Sequence, residues 1–448
     1  MKQQDFTNGN IFKQLILFSG PILFTNLLQV SYQFIDSLWI GNLLGANAIG
    51  AAAVASTIIF TILSFVIGIN TATLTILSQQ KGRDDEKGIS NYLNAFVIIL
   101  LTLALLLGAL GFLISETILV WLGTPLEMIP QATSYLQINF IGIIFLFGYN
   151  FIGTVLRSLG DSKTPLRFVL LSVVLNAILD PIFISTLNLG IDGAAYATIL
   201  SQGFAFLYGI SYVLRNKLVP FSMPYKPGKH EVLLILKLGI PAGLQMMVIS
   251  AGMLAIMSVV TSFGEHIVAG FGAAQRIDSV IMLPAMALGT AVNSMAGQNI
   301  GANQWDRVYK IAYFGVIFNL SIMLFIAILI VLFARYGIQL FIQDPEAVEF
   351  GTTYLQIVAF FYPFLGINFI LNGIVRSSGA MFQVLILNIV SFWILRYPLT
   401  YIFAKILGDK GIPYGMGVSF IISSIIAFLY FKFGMWGKKQ LFKDADDA

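Results

Sequence analysis

The sequence predicts an all-α polytopic membrane protein: 12 transmembrane helices in two pseudo-symmetric six-helix lobes around a central cavity. Three observations carry that prediction. The 448 residues are 58% hydrophobic and 10% charged, with a mean hydropathy of +0.87, whereas soluble domains carry about 25% charged residues. Apolar runs of about 20 residues, enough to cross a bilayer as a helix, recur along the whole chain. Landmarks of the first half return in order in the second.

The spans fall near 13–40, 47–78, 92–114, 130–157, 165–186, 191–214, 231–262, 267–297, 310–333, 350–378, 382–404 and 413–434. Polar stretches at Lys81–Lys87, Gly160–Pro165 and Arg215–His230 punctuate them. The first run has no A-x-A-like cleavage site after a short apolar core, so it reads as a spanning helix rather than a removed signal peptide. Twelve crossings put both termini on one side. Of the 25 Lys and Arg, 20 fall on that side, from Lys2 and Lys13 to Lys439 and Lys443. The opposite loops hold Arg335, Lys405 and Lys410. Basic residues stay on the cytoplasmic side, so both termini are expected in the cytoplasm and the chain in the cell (inner or plasma) membrane, surrounded by lipid bilayer.

The long basic loop lies at the midpoint, and a repeat lies around it. Gly20-Pro21 is answered by Ile240-Pro241, and Ser78-Gln79-Gln80-Lys81-Gly82 by Gly297-Gln298-Asn299-Ile300-Gly301. Val155-Leu156-Arg157-Ser158-Leu159-Gly160 is answered by Ile374-Val375-Arg376-Ser377-Ser378-Gly379, and Pro181 by Pro398. The order of Gly, Pro and Arg matches excludes chance likeness between apolar helices. The expected division is an N-lobe of 1–215, a cytoplasmic linker of 216–230 and a C-lobe of 231–448. Parallel six-helix repeats suit a transporter whose lobes rock around a central cavity.

Two carboxylates stand inside apolar runs, Asp36 in Tyr32-Gln33-Phe34-Ile35-Asp36 and Asp180 in Asn176-Ala177-Ile178-Leu179-Asp180-Pro181. A charge at the bilayer centre costs roughly 2.5–3.5 kcal/mol on insertion scales and marks an ion or substrate path. Tyr32 lies one turn before Asp36, as Asn176 does before Asp180, so each pair shares a helix face. Thr198 falls about two turns into helix 6, at a matching depth; Asn150 fits less well, nearer the cytoplasmic end of helix 4. Carboxylates, an amide carbonyl and a hydroxyl are hard oxygen donors. They suit Na⁺ at Asp36, Asn176, Asp180 and Thr198, or a proton where burial disfavours a second negative charge. The repeat breaks here, since Asp36 answers Ile256 and Asp180 answers Tyr397. The cation site is therefore expected in the N-lobe alone, with Pro21 and Pro181 as helix hinges, because proline frees a carbonyl one turn back.

Gln33, Met253, Met257, Arg276, Asp278 and Met282 are candidates for a substrate cavity. A methionine surface adapts to varied apolar ligands, although packing is its commoner role. Arg276 and Asp278 are two apart and do not face each other, so Arg396 is the expected partner for Asp278. Cysteine is absent, so disulfide and thiolate chemistry are excluded, and two histidines leave little scope for a His-built metal site. No nucleophile–base pair, phosphate loop, Walker motif or zinc spacing appears. The chain is expected to be no enzyme, to bind no nucleic acid and to need no cofactor beyond Na⁺ or H⁺ as coupling ion.

The 6+6 repeat, Gly20-Pro21, Asp36-Ser37-Leu38-Trp39-Ile40-Gly41, Leu156-Arg157-Ser158-Leu159-Gly160-Asp161 and Asn176-x-x-x-Asp180-Pro181 together resemble the MATE (multidrug and toxic compound extrusion) transporters over nearly the whole chain. The resemblance is to the DinF-like branch, whose acids lie in the N-lobe. The NorM-like branch carries acids in the C-lobe, and Leu244–Ile249 of helix 7 offers none. The resemblance implies that Tyr32, Asp36, Asn150, Asn176, Asp180 and Thr198 handle the cation or proton. It also implies export of bulky, amphipathic, often cationic small molecules in exchange for inward H⁺ or Na⁺, by alternating access. The chain is expected to be monomeric. The alternative is a flippase for lipid-linked saccharides or lipids of the same superfamily.

Overall fold

A computed structural model of the chain describes residues 3–222, 224–439 and 441–442. Lys2 and Lys443, two of the basic residues used to orient the chain, lie outside the described residues. All regular structure among the described residues is helical: α1 Ile11–Leu44, α2 Ala46–Gly82, α3 Glu86–Trp121, α4 Ile129–Ile141, α5 Ile143–Ser158, α6 Lys163–Pro181 and α7 Gly190–Arg215, then α8 Lys229–Thr261, α9 Glu265–Ile281, α10 Leu283–Gly301, α11 Trp305–Gln339, α12 Pro345–Ala359, α13 Tyr362–Ser377, α14 Met381–Ile389, α15 Tyr397–Leu407 and α16 Gly411–Phe433.

Among the described residues, 9 helical segments are long and apolar enough to cross a membrane, and two bent pairs raise the number to 11. One of them, Met381–Lys438, runs to 58 residues, far beyond the ~20 that a crossing needs. It doubles back. Ser391 Oγ meets Ser423 Oγ at 2.7 Å, Arg396 Nε reaches Ser419 Oγ at 3.4 Å, and Gly415 packs on the backbone of Leu399 and Thr400. Counting that hairpin as two gives the expected twelve crossings. Most helices outrun their apolar runs by several residues at each end, because intrahelical bonding continues past the hydrocarbon as readily as within it.

Three of the expected helices are interrupted. The fourth bends by 51° between α4 and α5, and the tenth by 55° between α12 and α13. The first bend falls at Gly142, where a Cβ would collide with Ile199 of α7; the second falls just before Pro363. The eighth breaks at Met282, before Pro284 at the start of α10. Proline is tolerated in a first turn, where its missing N–H has no intrahelical acceptor. A π-helical turn, Ile182–Thr186, follows Pro181, and another, Val390–Arg396, precedes Pro398.

Backbone geometry repeats with the sequence. Gly45 and Gly264 (φ 85 and 97), Gly160 and Gly379 (φ 89 and 83), and Asp84 and Asn303 (φ 56 and 57) are all left-handed. Each pair is separated by 219 residues. Glycine enters that region without a Cβ penalty, and Asn and Asp enter it more readily than other residues.

Two compact units form among the described residues, one built from Phe24–Gly239 together with Gln3 and Gln4, and the other from Asp5–Leu23 with the described residues from Ile240 onward. The division follows side-chain packing rather than chain order, so it falls just after Pro21 and just before Pro241 instead of at 215 and 231. In the second unit, Phe6, Leu15 and Phe18 enter a core with Leu288, Met295 and Ile374. Arg307 holds that N-terminal segment by donating to the carbonyls of Phe6 (2.9 Å) and Gly9 (3.1 Å). In the first unit, Asn94 pairs with the backbone of Tyr225 in both directions, at 2.8 and 3.0 Å. Phe6 and Tyr225 are again 219 residues apart.

Candidate functional site

The first unit holds an open cavity of about 600 Å³ walled by α1, α2, α4, α5, α6 and α7, within the ~300–1,000 Å³ of ordinary ligand sites. Its wall is mixed. Phe60, Leu63, Ile67 and Leu146 are apolar, while Gln29, Gln33, Asn139, Asn150 and Gln202 are polar, with the rings of Tyr32, Tyr135 and Tyr149 between them. Asp36 is the one charged side chain on that wall among the described residues.

Behind Asp36 lies the second acid. Asp180 and Asn176 have 0% exposure, and one helical turn brings the Asn176 Nδ2 donor to Asp180 Oδ1 at 3.0 Å. Pro181 ends the regular ladder just after Asp180. The π turn that follows closes through Leu187 N to Ile182 O at 2.8 Å, which keeps the helix continuous past the acid. Asp36 and Asp180 lie within electrostatic reach of each other and of Tyr32 and Tyr135, and Thr198 stands beside the Tyr32 hydroxyl.

Five oxygens here are buried and lack a protein hydrogen-bond partner: Tyr32 Oη, Asp36 Oδ1, Asn176 Oδ1, Asp180 Oδ2 and Thr198 Oγ1. A buried polar atom left unpaired costs about 1–3 kcal/mol, so five in one place are expensive unless something binds them. They are all acceptors of the kind a hard monovalent cation or a proton uses. The donor set therefore fits Na⁺ or H⁺, and no group of three or more His, Cys, Asp or Glu suited to a multivalent metal occurs among the described residues.

The structure thus brings together Tyr32, Asp36, Asn176, Asp180 and Thr198. Asn150, whose expected depth fitted the set less well, lines the same cavity and also a smaller one beside it with Gln29, Tyr149 and Arg157. Gln33 lines the main cavity too. The remaining substrate candidates belong to the second unit. Met253, Met257 and Met282 pack against its apolar core, Arg276 is exposed over the Phe341 ring at 5.6 Å, and Asp278 accepts hydrogen bonds from Tyr354 and Tyr362. The expected Asp278–Arg396 ion pair does not form. Arg396 lies between the rings of Phe392 (3.8 Å) and Phe420 (4.6 Å) instead, because a guanidinium stacks on aromatic faces without needing a carboxylate.

Tyr135 is the site residue that the sequence reading missed. Its signal was present: Ser134-Tyr135-Leu136-Gln137-Ile138 returns as Thr353-Tyr354-Leu355-Gln356-Ile357. Both tyrosines face a half-buried acid, Tyr135 facing Asp36 and Tyr354 facing Asp278.

A repeated helical membrane protein with paired buried acids beside a ligand-sized cavity is built as a transporter. The chain belongs to the MatE family, whose model matches it twice, over residues 21–182 and 241–402. Those two matches restate the internal repeat at an offset of 220 residues. The chain is 64% identical, over 99% of its length and 100% of the relative's, to the probable multidrug resistance protein YpnP of Bacillus subtilis (strain 168). It is 29% identical to the probable multidrug resistance protein YoeA of the same strain, over 98% of this chain and 97% of that one. A crystal structure of MATE in complex with MaL6 superposes with a TM-score of 0.92 at 24% identity, covering 98% of this chain and 100% of that one. The fold is that of a multi-pass MATE transporter.

Proposed function

We propose that this chain is a secondary active antiporter of the cell membrane. It exports bulky amphipathic cations in exchange for inward Na⁺ or H⁺, with Asp36 and Asp180 as the coupling pair. One observation carries the reading: Asp36 belongs both to the cavity wall and to the buried acid pair. A cationic ligand in the cavity and a coupling ion at the pair therefore draw on the same negative charge. When Na⁺ or H⁺ at the pair offsets part of that charge, the cavity's attraction for a cationic ligand weakens, and release follows. Linkage sets the limit, since the ion shifts the conformational equilibrium only by its difference in affinity for the two states.

Asp36, Asp180, Asn176 and Thr198 would hold Na⁺ through their unpartnered oxygens, with Tyr32 alongside; a proton would sit on one of the two carboxyls. Pro21 and Pro181 serve as hinges. The orientation with both termini in the cytoplasm follows from the basic residues, and a monomer suffices because cavity and acids come from one chain. Export of lipid-linked saccharides is disfavoured, because the charged group on the main cavity's wall is an acid and a phosphate headgroup calls for cations.

The test is dye or drug efflux from proteoliposomes with Na⁺ and pH gradients imposed separately. Wild-type protein should respond to one gradient. Asp36→Asn and Asp180→Asn should each lose gradient-driven efflux by tenfold or more. Export at the wild-type rate by either variant would sink the reading.

A further inference from the structure

We propose that Asp278 in the second unit is a separate proton-binding site, at which a single proton from water loads onto a carboxyl held between two phenols. Asp278 sits on α9 with Tyr354 of α12 donating to Oδ2 at 3.1 Å and Tyr362 of α13 donating to Oδ1. Among the described residues no Lys, Arg or His nitrogen lies within salt-bridge distance of it.

The groups around it are few. Arg276, on the same helix, points to Phe341. Arg335 and Tyr336 of α11 are exposed. Beyond Tyr354 stand the sulfur of Met416, 3.6 Å from the hydroxyl, and the guanidinium of Arg396. A carboxylate in an apolar unit without an adjacent counter-charge is relieved most simply by taking up a proton.

Two contrasts with the first unit define the ligand. At Asp36 and Asp180 several oxygens lie unpartnered and can converge on a metal ion. At Asp278 each carboxyl oxygen already has a phenol donor, which leaves no oxygen cage for Na⁺. A proton needs none: it adds to one carboxyl oxygen, and the phenol there turns from donor to acceptor. The second contrast is Arg396. Its charge rests on the rings of Phe392 and Phe420 and on Ser419 rather than on Asp278. Asp278 can therefore gain or lose its charge without stranding a buried guanidinium. Tyr354 couples the two, as it bonds Asp278 on one side and feels Arg396 on the other.

The site is independent of the coupling role proposed for Asp36 and Asp180, and its test does not use transport. Infrared difference spectra of the purified protein in lipid nanodiscs, titrated from acidic to alkaline pH, report protonated carboxyls by their C=O band. The solvated acids of the loops titrate as well, so the component read is the higher-frequency C=O band of a carboxyl shielded from water. In an Asp36→Asn/Asp180→Asn background that component should remain, and adding Asp278→Asn should abolish it. A background without that component, or one in which it survives Asp278→Asn, overturns the assignment. Tyr362→Phe in the otherwise unchanged protein keeps the acid and removes one partner, so that variant covers a failure of the triple variant to fold. It should shift the frequency of one titrating component, and spectra superimposable on wild type would count against the site.

Discussion

Asn176 gives its amide to Asp180 across one helical turn, at 3.0 Å, with neither side chain exposed. The bond fixes the carboxyl's orientation and also fixes which oxygens are left over. Asn176 Oδ1 and Asp180 Oδ2 remain unpartnered, on the helix that faces Asp36, Tyr32 and Thr198.

A cation bound there stabilises the folded protein by mass action, by about 2.7 kcal/mol at a hundredfold excess over Kd. Thermal unfolding in detergent should therefore shift upward with the coupling ion, and K⁺ at equal ionic strength should produce less. Asn176→Ala should shrink the ion-dependent shift, and Asp180→Asn should remove it. An unchanged shift in both variants would place the ion elsewhere.

Tyr135→Phe removes a phenol beside Asp36 and leaves the ring that walls the cavity. A hydrogen bond to a charged group is worth about 1.5–3 kcal/mol. Gradient-driven efflux should fall by about tenfold or more while binding of a fluorescent substrate stays within a few-fold of wild type. Equal losses in both measurements would make Tyr135 a substrate contact instead.

Gly142→Ala places a methyl group against Ile199, which itself lines the cavity. Overpacking of this kind costs about 1–3 kcal/mol, and the available escape for Ile199 is into the cavity. The variant should unfold at lower temperature and should discriminate against the bulkiest substrates first. Substrate-size profiles of purified protein would show it.

At the N-terminus of α12, Asp344 caps the Ala347 amide at 2.8 Å and meets His266 Nδ1 at 2.9 Å. The Ala347 N–H bond first, and then His266, hold the Asp344 carboxyl below its ordinary range. A depressed acid contributes stability that is fully present above its unfolded-state value and is lost as pH falls through its folded-state value. Acid should thus weaken this cap, and Asp344→Asn should flatten the acid side of the stability profile slightly. Thermal unfolding measured against pH distinguishes the two proteins.

Much of the fold was legible because a bilayer imposes a length on every apolar helix and a repeat doubles every landmark. The breaks were harder to see. Gly142 and Met282 interrupt apolar runs that read as single helices, and only the proximity of Ile199 or the reach of Pro284 explains why the helix gives way there. The acid pair was legible because carboxylates are rare in hydrocarbon, and a tyrosine is not, so Tyr135 escaped although its segment repeats almost letter for letter. Arg396 was misread as a partner for Asp278 because sequence shows charges and hides the rings of Phe392 and Phe420 that hold one of them.

The amino-acid sequence by itself determined the class of protein, the number of crossings, the internal repeat and the presence of two acids, Asp36 and Asp180, inside apolar runs. Each of these rests on composition or periodicity, which act locally along the chain. Tertiary structure alone decided that Asp36 belongs at once to the cavity wall and to the buried pair, and that Asn150 joins the same cavity. It also decided that Asp5–Leu23 folds with the unit opposite its own repeat. Those outcomes depend on which side chains pack across helices far apart in sequence, and no local pattern encodes that.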